Sequence, residues 1–244
     1  MKKLNWLNIW INVRLLLVFG AVVGLYSFTS AKHQNRKLTK TVVQFVGDDN
    51  QFLTQQTVNK LLIENNLDVK TIKKVALDLD NLEKIVNGNQ MVERSQVFVT
   101  IDGVLKAVVK QRTPIVRVIN KDSSFYIDFQ GIKMPLSVVK SARVPLVLGN
   151  INGSNEKEMY ELFRYINDDD FLRKNIIGIQ LFENGAIKMT NRNYNYEIDF
   201  GRPKNIERKF NNYKAFYQKA VQDSTITKYK TITLRFTQQV VCTK

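Results

Sequence analysis

Apolar residues recur along this chain in three ways, and each predicts a different kind of element. The first is an unbroken run. In Val13–Phe28, VRLLLVFGAVVGLYSF, the part from Leu15 onward holds one Ser and two Gly among otherwise apolar residues. With the amphiphilic Leu4–Asn12 before it, the run predicts a helix of roughly 20 residues, the length a bilayer core requires. No other stretch approaches that apolarity, and the chain after residue 40 reads as water-soluble. A cleaved signal peptide, with Lys2 and Lys3 ahead of the run and Thr29-Ser30-Ala31 after it, is a second reading. A buried core helix is a third. Trp6, Trp10 and Tyr26 bracket the run as interfacial aromatics do, and Arg14 can extend its stem toward the nearer surface. The reading adopted is a tail (1–12), a membrane helix (13–30) and a stem (31–40). Lys2, Lys3 and Arg14 before the run and Lys32, Arg36, Lys37 and Lys40 after it do not favour the N-terminus inside.

Helical and strand periods alternate in the next segment. Thr41–Gly47 predicts a strand ending at Gly47. Thr54 is a candidate N-cap for a helix over Gln55–Asn65, with Val58, Leu61 and Leu62 on one face and Asn65-Asn66-Leu67-Asp68 as its break. A second helix over Asp78–Asn87 places Leu79, Leu82, Ile85 and Val86 together, with Gly88 as its terminator. Val97–Ile101 and Val104–Lys110 predict strands joined by an Asp102-Gly103 hairpin turn. Pro114 interrupts the second, which is expected to continue at Ile115–Ile119 along an edge or after a bend. The order β-α-α-β-β requires both helices to cover one sheet, an α+β module expected over 41–120.

Beyond it, 121–244 predicts a β-rich domain. Strands are expected at Phe125–Phe129, Val144–Leu148, Ile176–Glu183, Ala186–Thr190 and Tyr194–Phe200, with Asn184-Gly185 as a hairpin turn. One helix is expected to start at Asn155, with Glu158 completing a capping box and Met159, Leu162, Phe163 and Ile166 as its stripe. A later helix is expected to be capped by Asn205, with Ile206, Phe210, Tyr213, Tyr217 and Ala220 as its core face. Lys228–Cys242 alternates cleanly: Ile232, Leu234 and Phe236 face one way, and Thr231, Thr233, Arg235 and Thr237 the other. A last strand has no following element to cover it, so an edge is expected there, open to a partner strand.

Composition narrows the chemistry. The net charge over 244 residues is +15, and about +12 of it lies beyond residue 28. Such a balance suits a solvated basic surface, anionic lipid or an acidic partner. The cations are scattered with no run of five, which disfavours nucleic acid. His33 and Cys242 are the only residues of their kinds. A His/Cys metal site, an intrachain disulfide and a Ser-His-Asp or Cys-His nucleophile are therefore excluded, and no cofactor is expected. Cys242 reads as a strand-end core residue, and Asp168-Asp169-Asp170 as a turn or helix cap rather than a cation site.

Three local patterns, in this order, resemble the bacterial division family FtsQ/DivIB. Val97–Pro114, VFVTIDGVLKAVVKQRTP, is similar to that family's strand–turn–strand ending in Glu-Arg-x-Pro, with Arg112 and Pro114 in place and Gln111 where the family has Glu. Tyr126–Gly131 is similar to its Tyr-x-x-Asp-x-x-Gly turn. Phe200-Gly201-Arg202, the following helix and Thr231–Phe236 resemble its Gly-Arg–helix–Asp-Leu-Arg-Tyr ending. The resemblance implies a non-enzymatic scaffold of the divisome. Its tail would be cytoplasmic, its single helix in the inner membrane at the septum, and its domains periplasmic. It implies that 41–120 is a POTRA domain acting in recruitment, with Gly47, Arg112 and Pro114 among its residues. It also implies that Thr231, Ile232, Thr233, Leu234, Arg235, Phe236 and Thr237 receive a partner strand. The implied partners are the small single-pass coiled-coil proteins FtsB and FtsL. Other readings are an exported domain binding anionic lipid or cell-wall polymer, a POTRA-bearing transporter, for which the remaining chain is too short to close a barrel, and a hydrolase using Glu183 and Asp199.

Overall fold

The structure, a computed structural model, describes residues 6–34, 36–47, 52–63, 71–74, 77–120, 123–153 and 155–244. Its first helix, α1 (Trp6–Gln34), contains the apolar segment Val13–Ser30, which has mean hydropathy 1.7 and no part buried. The helix is longer than its apolar run. It continues through 6–12 and 31–34, expected as tail and stem, because neither flank carries the Gly or Pro that would stop it.

The chain then divides into two units, Met1–Gly47 with Thr54–Lys110, and Asp48–Leu53 with Gln111–Lys244. The first holds a three-stranded sheet of β1 (Lys40–Val46), β2 (Val92–Val99) and β3 (Val104–Gln111), in the order β1-β3-β2. β1 lies parallel to β3 from Lys40↔Val104 to Val46↔Lys110, a pairing that no hairpin can make. The crossover carries α2 (Gln55–Leu62) and α3 (Leu79–Asn87). The Thr54 hydroxyl accepts from Thr57 N–H and the Asp78 carboxylate from Asn81 N–H, so each helix starts on a side-chain cap. α2 ends three residues before the expected Asn65; the expected break at 65–68 falls outside the described residues. Gly88 ends α3 as expected, in right-handed geometry (φ −69). β2 begins five residues before the expected Val97, and Ile101 is a turn residue with 81% of its surface exposed. At the turn, Gly103 has φ +80, and a Cβ there would sit 2.9 Å from the Lys37 carbonyl oxygen.

The second unit is a nine-stranded sheet. Its strands are β4 (Pro114–Ile119), β5 (Ser124–Asp128), β6 (Lys133–Met134), β7 (Leu146–Leu148), β8 (Ile176–Leu181), β9 (Ile187–Asn191), β10 (Glu197–Gly201), β11 (Thr231–Thr233) and β12 (Val241–Thr243). They run in the order β12-β11-β10-β9-β8-β7-β4-β5-β6. Three corrections follow. Ile115–Ile119 does not continue the first module: β4 pairs with β5 and β7 in this sheet. Tyr194 and Tyr196 lie before β10, not in it. Lys228–Cys242 is not one strand. β11 stops at Thr233, and β12 folds back antiparallel onto it, Thr231↔Thr243 to Thr233↔Val241.

Three helices cover this sheet: α4 (Glu156–Asp168), α5 (Asp170–Asn175) and α6 (Ile206–Gln222). Asn155 precedes α4 without a side-chain cap bond; its Oδ1 accepts from Asn152 N–H instead. Asp169 caps α5 through Leu172 N–H. The stripe of α4 (Met159, Leu162, Phe163, Ile166) and that of α6 (Ile206, Phe210, Tyr213, Ala220) are buried in one core with Ile198, Phe200 and Ile232, while Tyr217 packs at its margin. β10 and β11 are parallel, so a crossover must join them, and α6 is that crossover. The start of α6 therefore sits at the C-terminal end of β10, where the candidate site lies.

Candidate interaction site

The two halves of the last sequence pattern, Phe200-Gly201-Arg202 and Thr231–Phe236, turn out to be spatial neighbours at the C-terminal ends of β10 and β11. Gly201 takes φ +69, and a Cβ on it would lie 3.0 Å from Arg235 Cγ. Any larger residue would strain the backbone and push Arg235 away. Arg235 Nε donates to Asp199 Oδ2 at 2.8 Å; the arginine side chain is 56% exposed and the aspartate 13%. Asp199 O also accepts from Leu234 N–H, so the chain leaving β11 is held to β10 by both backbone and side chain. Asn212 on α6 donates to Thr237 O and holds the next turn of the segment.

Around this junction is a cleft of about 430 Å³ lined by Arg202, Lys204, Lys209 and Arg235, with Asn184 and Asn205. Four cations make it strongly basic. Lys209 is itself buried; its Nζ donates to Phe200 O and Arg202 O, each at 2.8 Å, and lies 4.5 Å from the Phe200 ring centroid. Burial pulls the Lys209 ammonium below the ordinary lysine range, and the Asp199 carboxylate partly offsets that. Asn205, expected as the cap of α6, stands at its N-terminus with φ 54 and no side-chain cap bond. Phe236 is 52% exposed and belongs to no core, although the alternation had placed it with Ile232 and Leu234, which are buried.

Thr231, Ile232 and Thr233 are hydrogen-bonded on both sides, to β10 and to β12. The free sheet edge at this end is therefore β12. Leu234–Thr237 are outside any strand. The sequence reading missed β12 and Lys209. Lys209 stands three residues after Ile206, on the buried side of α6, and that position was its only sequence signal.

The first two patterns meet in a separate cluster. Arg112 Nη1 donates to Asp128 Oδ2 at 2.8 Å and to Gln130 Oε1 at 3.1 Å. The other Asp128 oxygen accepts from Gln130 and Ile132 N–H, closing the turn at Gly131. A Cβ on Gly131 would lie 2.6 Å from the Tyr160 ring. Pro114 pairs with Asp128 across the start of the β4–β5 ladder. Gln111 Oε1 accepts from Phe52 and Leu53 N–H at 2.7 and 2.9 Å. Gly47 belongs to the other unit, at the end of β1, with φ +104.

Glu183 is exposed in the β8–β9 turn, and Asp199 is committed to Arg235, so the two do not form a described pair. Among the described residues no group of three or more His, Cys, Asp or Glu could hold a metal ion. Cys242 is half-buried on β12, packed against the core margin.

A family model described as FtsQ/DivIB, C-terminal related, matches residues 113–243, more than half of the chain and nearly all of the second unit. No curated protein matches it.

Proposed function

The chain belongs to the FtsQ/DivIB family, a non-catalytic cell-division family, and from that premise we propose that it is a membrane-anchored scaffold of the bacterial divisome. In this reading α1 crosses the inner membrane at the septum, with the N-terminus cytoplasmic and both units periplasmic. The first unit is a POTRA-like recruitment module. Gly47 serves its β1 terminus, and Arg112 and Pro114, expected in the same module but lying in the second unit, serve recruitment from there. The second unit binds small single-pass coiled-coil partners of the FtsB and FtsL kind and so links early and late septal proteins.

The observation that carries the partner site is the junction of β10, β11 and α6. It combines an exposed Phe236, an exposed Arg235 and a four-cation cleft beside a sheet edge. An aromatic and an arginine are the residue types that anchor interfaces. The edge supplies main-chain groups for an added strand, and the cations favour a partner segment bearing Asp or Glu. With β12 in place, a partner strand meets Val241–Thr243 first; it reaches Thr231–Thr233 only by displacing β12.

Co-purification from detergent-solubilised cells tests this. The wild type and a Phe236→Ala, Arg202→Glu variant are compared, after circular dichroism shows the variant folded. Loss of small single-pass partners from the folded variant is the expected result. Unchanged partners would move the interface elsewhere. Absence of such partners from the wild type would favour lipid or wall-polymer binding.

A further inference from the structure

At the opposite, N-terminal ends of β10 and β11 lies a second cleft, of about 210 Å³, between the turn that precedes β10 and the short 3₁₀ segment Ile226–Lys228. Tyr194 and Tyr229 stand at its sides, Tyr196 and Ile226 lie buried beneath them, and Asn193, Asn195 and Thr227 line its exposed margin. The rings are fixed from behind. Tyr194 stacks on Tyr196 with centroids 6.1 Å apart and meets Tyr217 edge-on at 5.9 Å. The Tyr196 hydroxyl is 2.7 Å from that of Tyr213, which also accepts from Asn191. Tyr229 is braced edge-on by Phe216 at 5.5 Å. Among the described residues, the side chains of Asn195, Thr227 and Tyr229 have no hydrogen-bond partner.

We propose that this cleft binds one pyranose unit of a glycan chain. The inference rests on the cleft alone and does not depend on the partner site above. A pyranose has apolar C–H faces and a ring of equatorial hydroxyls. It therefore needs aromatic faces and, in the same small space, amides and hydroxyls that both donate and accept. The cleft supplies both kinds of group. None of its lining residues is charged, which fits a neutral sugar and leaves a phosphate without a counter-charge. Its volume lies below the range of about 300–1,000 Å³ typical for drug-sized ligands, as suits a single ring. Pre-packed rings lose little freedom on binding.

The test is calorimetric titration of the full chain in lipid nanodiscs, since sugar-headed detergents would compete. N-acetylchitotetraose and cellotetraose serve as probes, and their comparison shows whether an N-acetyl group is required. Saturable binding of at least one is expected. Asn195→Ala and Tyr229→Ala are each expected to weaken it about tenfold, while Tyr229→Phe, which keeps the ring, stays within about threefold of wild type. Equal melting temperatures of all variants separate loss of the site from loss of the fold; Asn195 is exposed and its truncation leaves the core intact. Absence of binding by both tetrasaccharides, or undiminished binding by the Asn195 and Tyr229 alanine variants, overturns the proposal.

Discussion

At the residue scale, the structure accommodates the one local departure from the resembled pattern. Gln111 stands where the family has Glu, and its side-chain oxygen accepts from two successive backbone N–H groups, of Phe52 and Leu53. A carboxylate accepts equally well there. Gln111→Glu is therefore expected to stay within about 0.5 kcal/mol of wild type, and Gln111→Ala to cost roughly 1–3 kcal/mol, by leaving those donors without a partner. Urea denaturation midpoints measure both. Arg112 is a stronger case. Its side chain is 13% exposed and that of Asp128 5%, so Arg112→Ala leaves a carboxylate buried without its cation. The expected cost is about 3–5 kcal/mol by the same measurement. A recruitment role for Arg112 has to be read from a variant that keeps the pair's structure, because alanine removes the fold's support along with any contact.

At the element scale, one ion pair joins α5 to α6. Lys214 Nζ donates to Asp169 Oδ2 at 2.7 Å. Burial pushes the Asp169 carboxyl up, but the hydrogen bonds from Lys214 and from Leu172 N–H outweigh it and hold the group below its ordinary value. The bond to Asp169 in turn raises Lys214. A depressed carboxylate stabilises the fold above its unfolded value, near 3.9, and that contribution is lost as pH falls through the folded value. A raised lysine stabilises below its unfolded value, near 10.4, and loses its contribution as pH rises through the folded one. The stability difference between wild type and Lys214→Met is therefore expected to be largest from about pH 5 to 9. It should shrink below about pH 4 and above about pH 10.5; thermal melts across that range read it directly. The last strand gives a second test. β12 is three residues long and lies at the sheet edge. Deleting residues 240–244 is expected to expose Thr231 and Thr233 amides to hydrogen exchange at least tenfold faster while the α6 amides keep their protection. Unchanged exchange at Thr231 and Thr233 would show that β12 does not guard β11.

At the scale of the whole molecule, the apolar segment Val13–Ser30 has no buried part, so it adds nothing to the core of either sheet. Removing residues 1–35 is expected to release the chain from membranes that otherwise retain it through alkaline extraction, with the circular dichroism of the soluble part unchanged. An N-terminal tag that stays with the mature chain distinguishes a retained anchor from a cleaved signal. The sequence alone determined the features that depend on neighbours a few residues away. These include the apolar run, the Thr54 cap, the Asp102-Gly103 and Asn184-Gly185 turns, and the buried stripes of α4 and α6. They are legible because helical and strand periods and turn geometry are local properties. It also set the type of most strands, but not their partners. Nothing in Ile115–Ile119 says that it pairs with Leu146–Leu148, about 30 residues later. Likewise, clean alternation through Phe236 does not reveal that Leu234 N–H turns aside to Asp199 O and ends β11. Only the tertiary structure decided which edge is free, that Arg235 rests on Asp199 beside Gly201, and that Arg112 and Gly131 belong to one cluster. Those outcomes depend on contacts between distant segments, whose free energy no local pattern encodes.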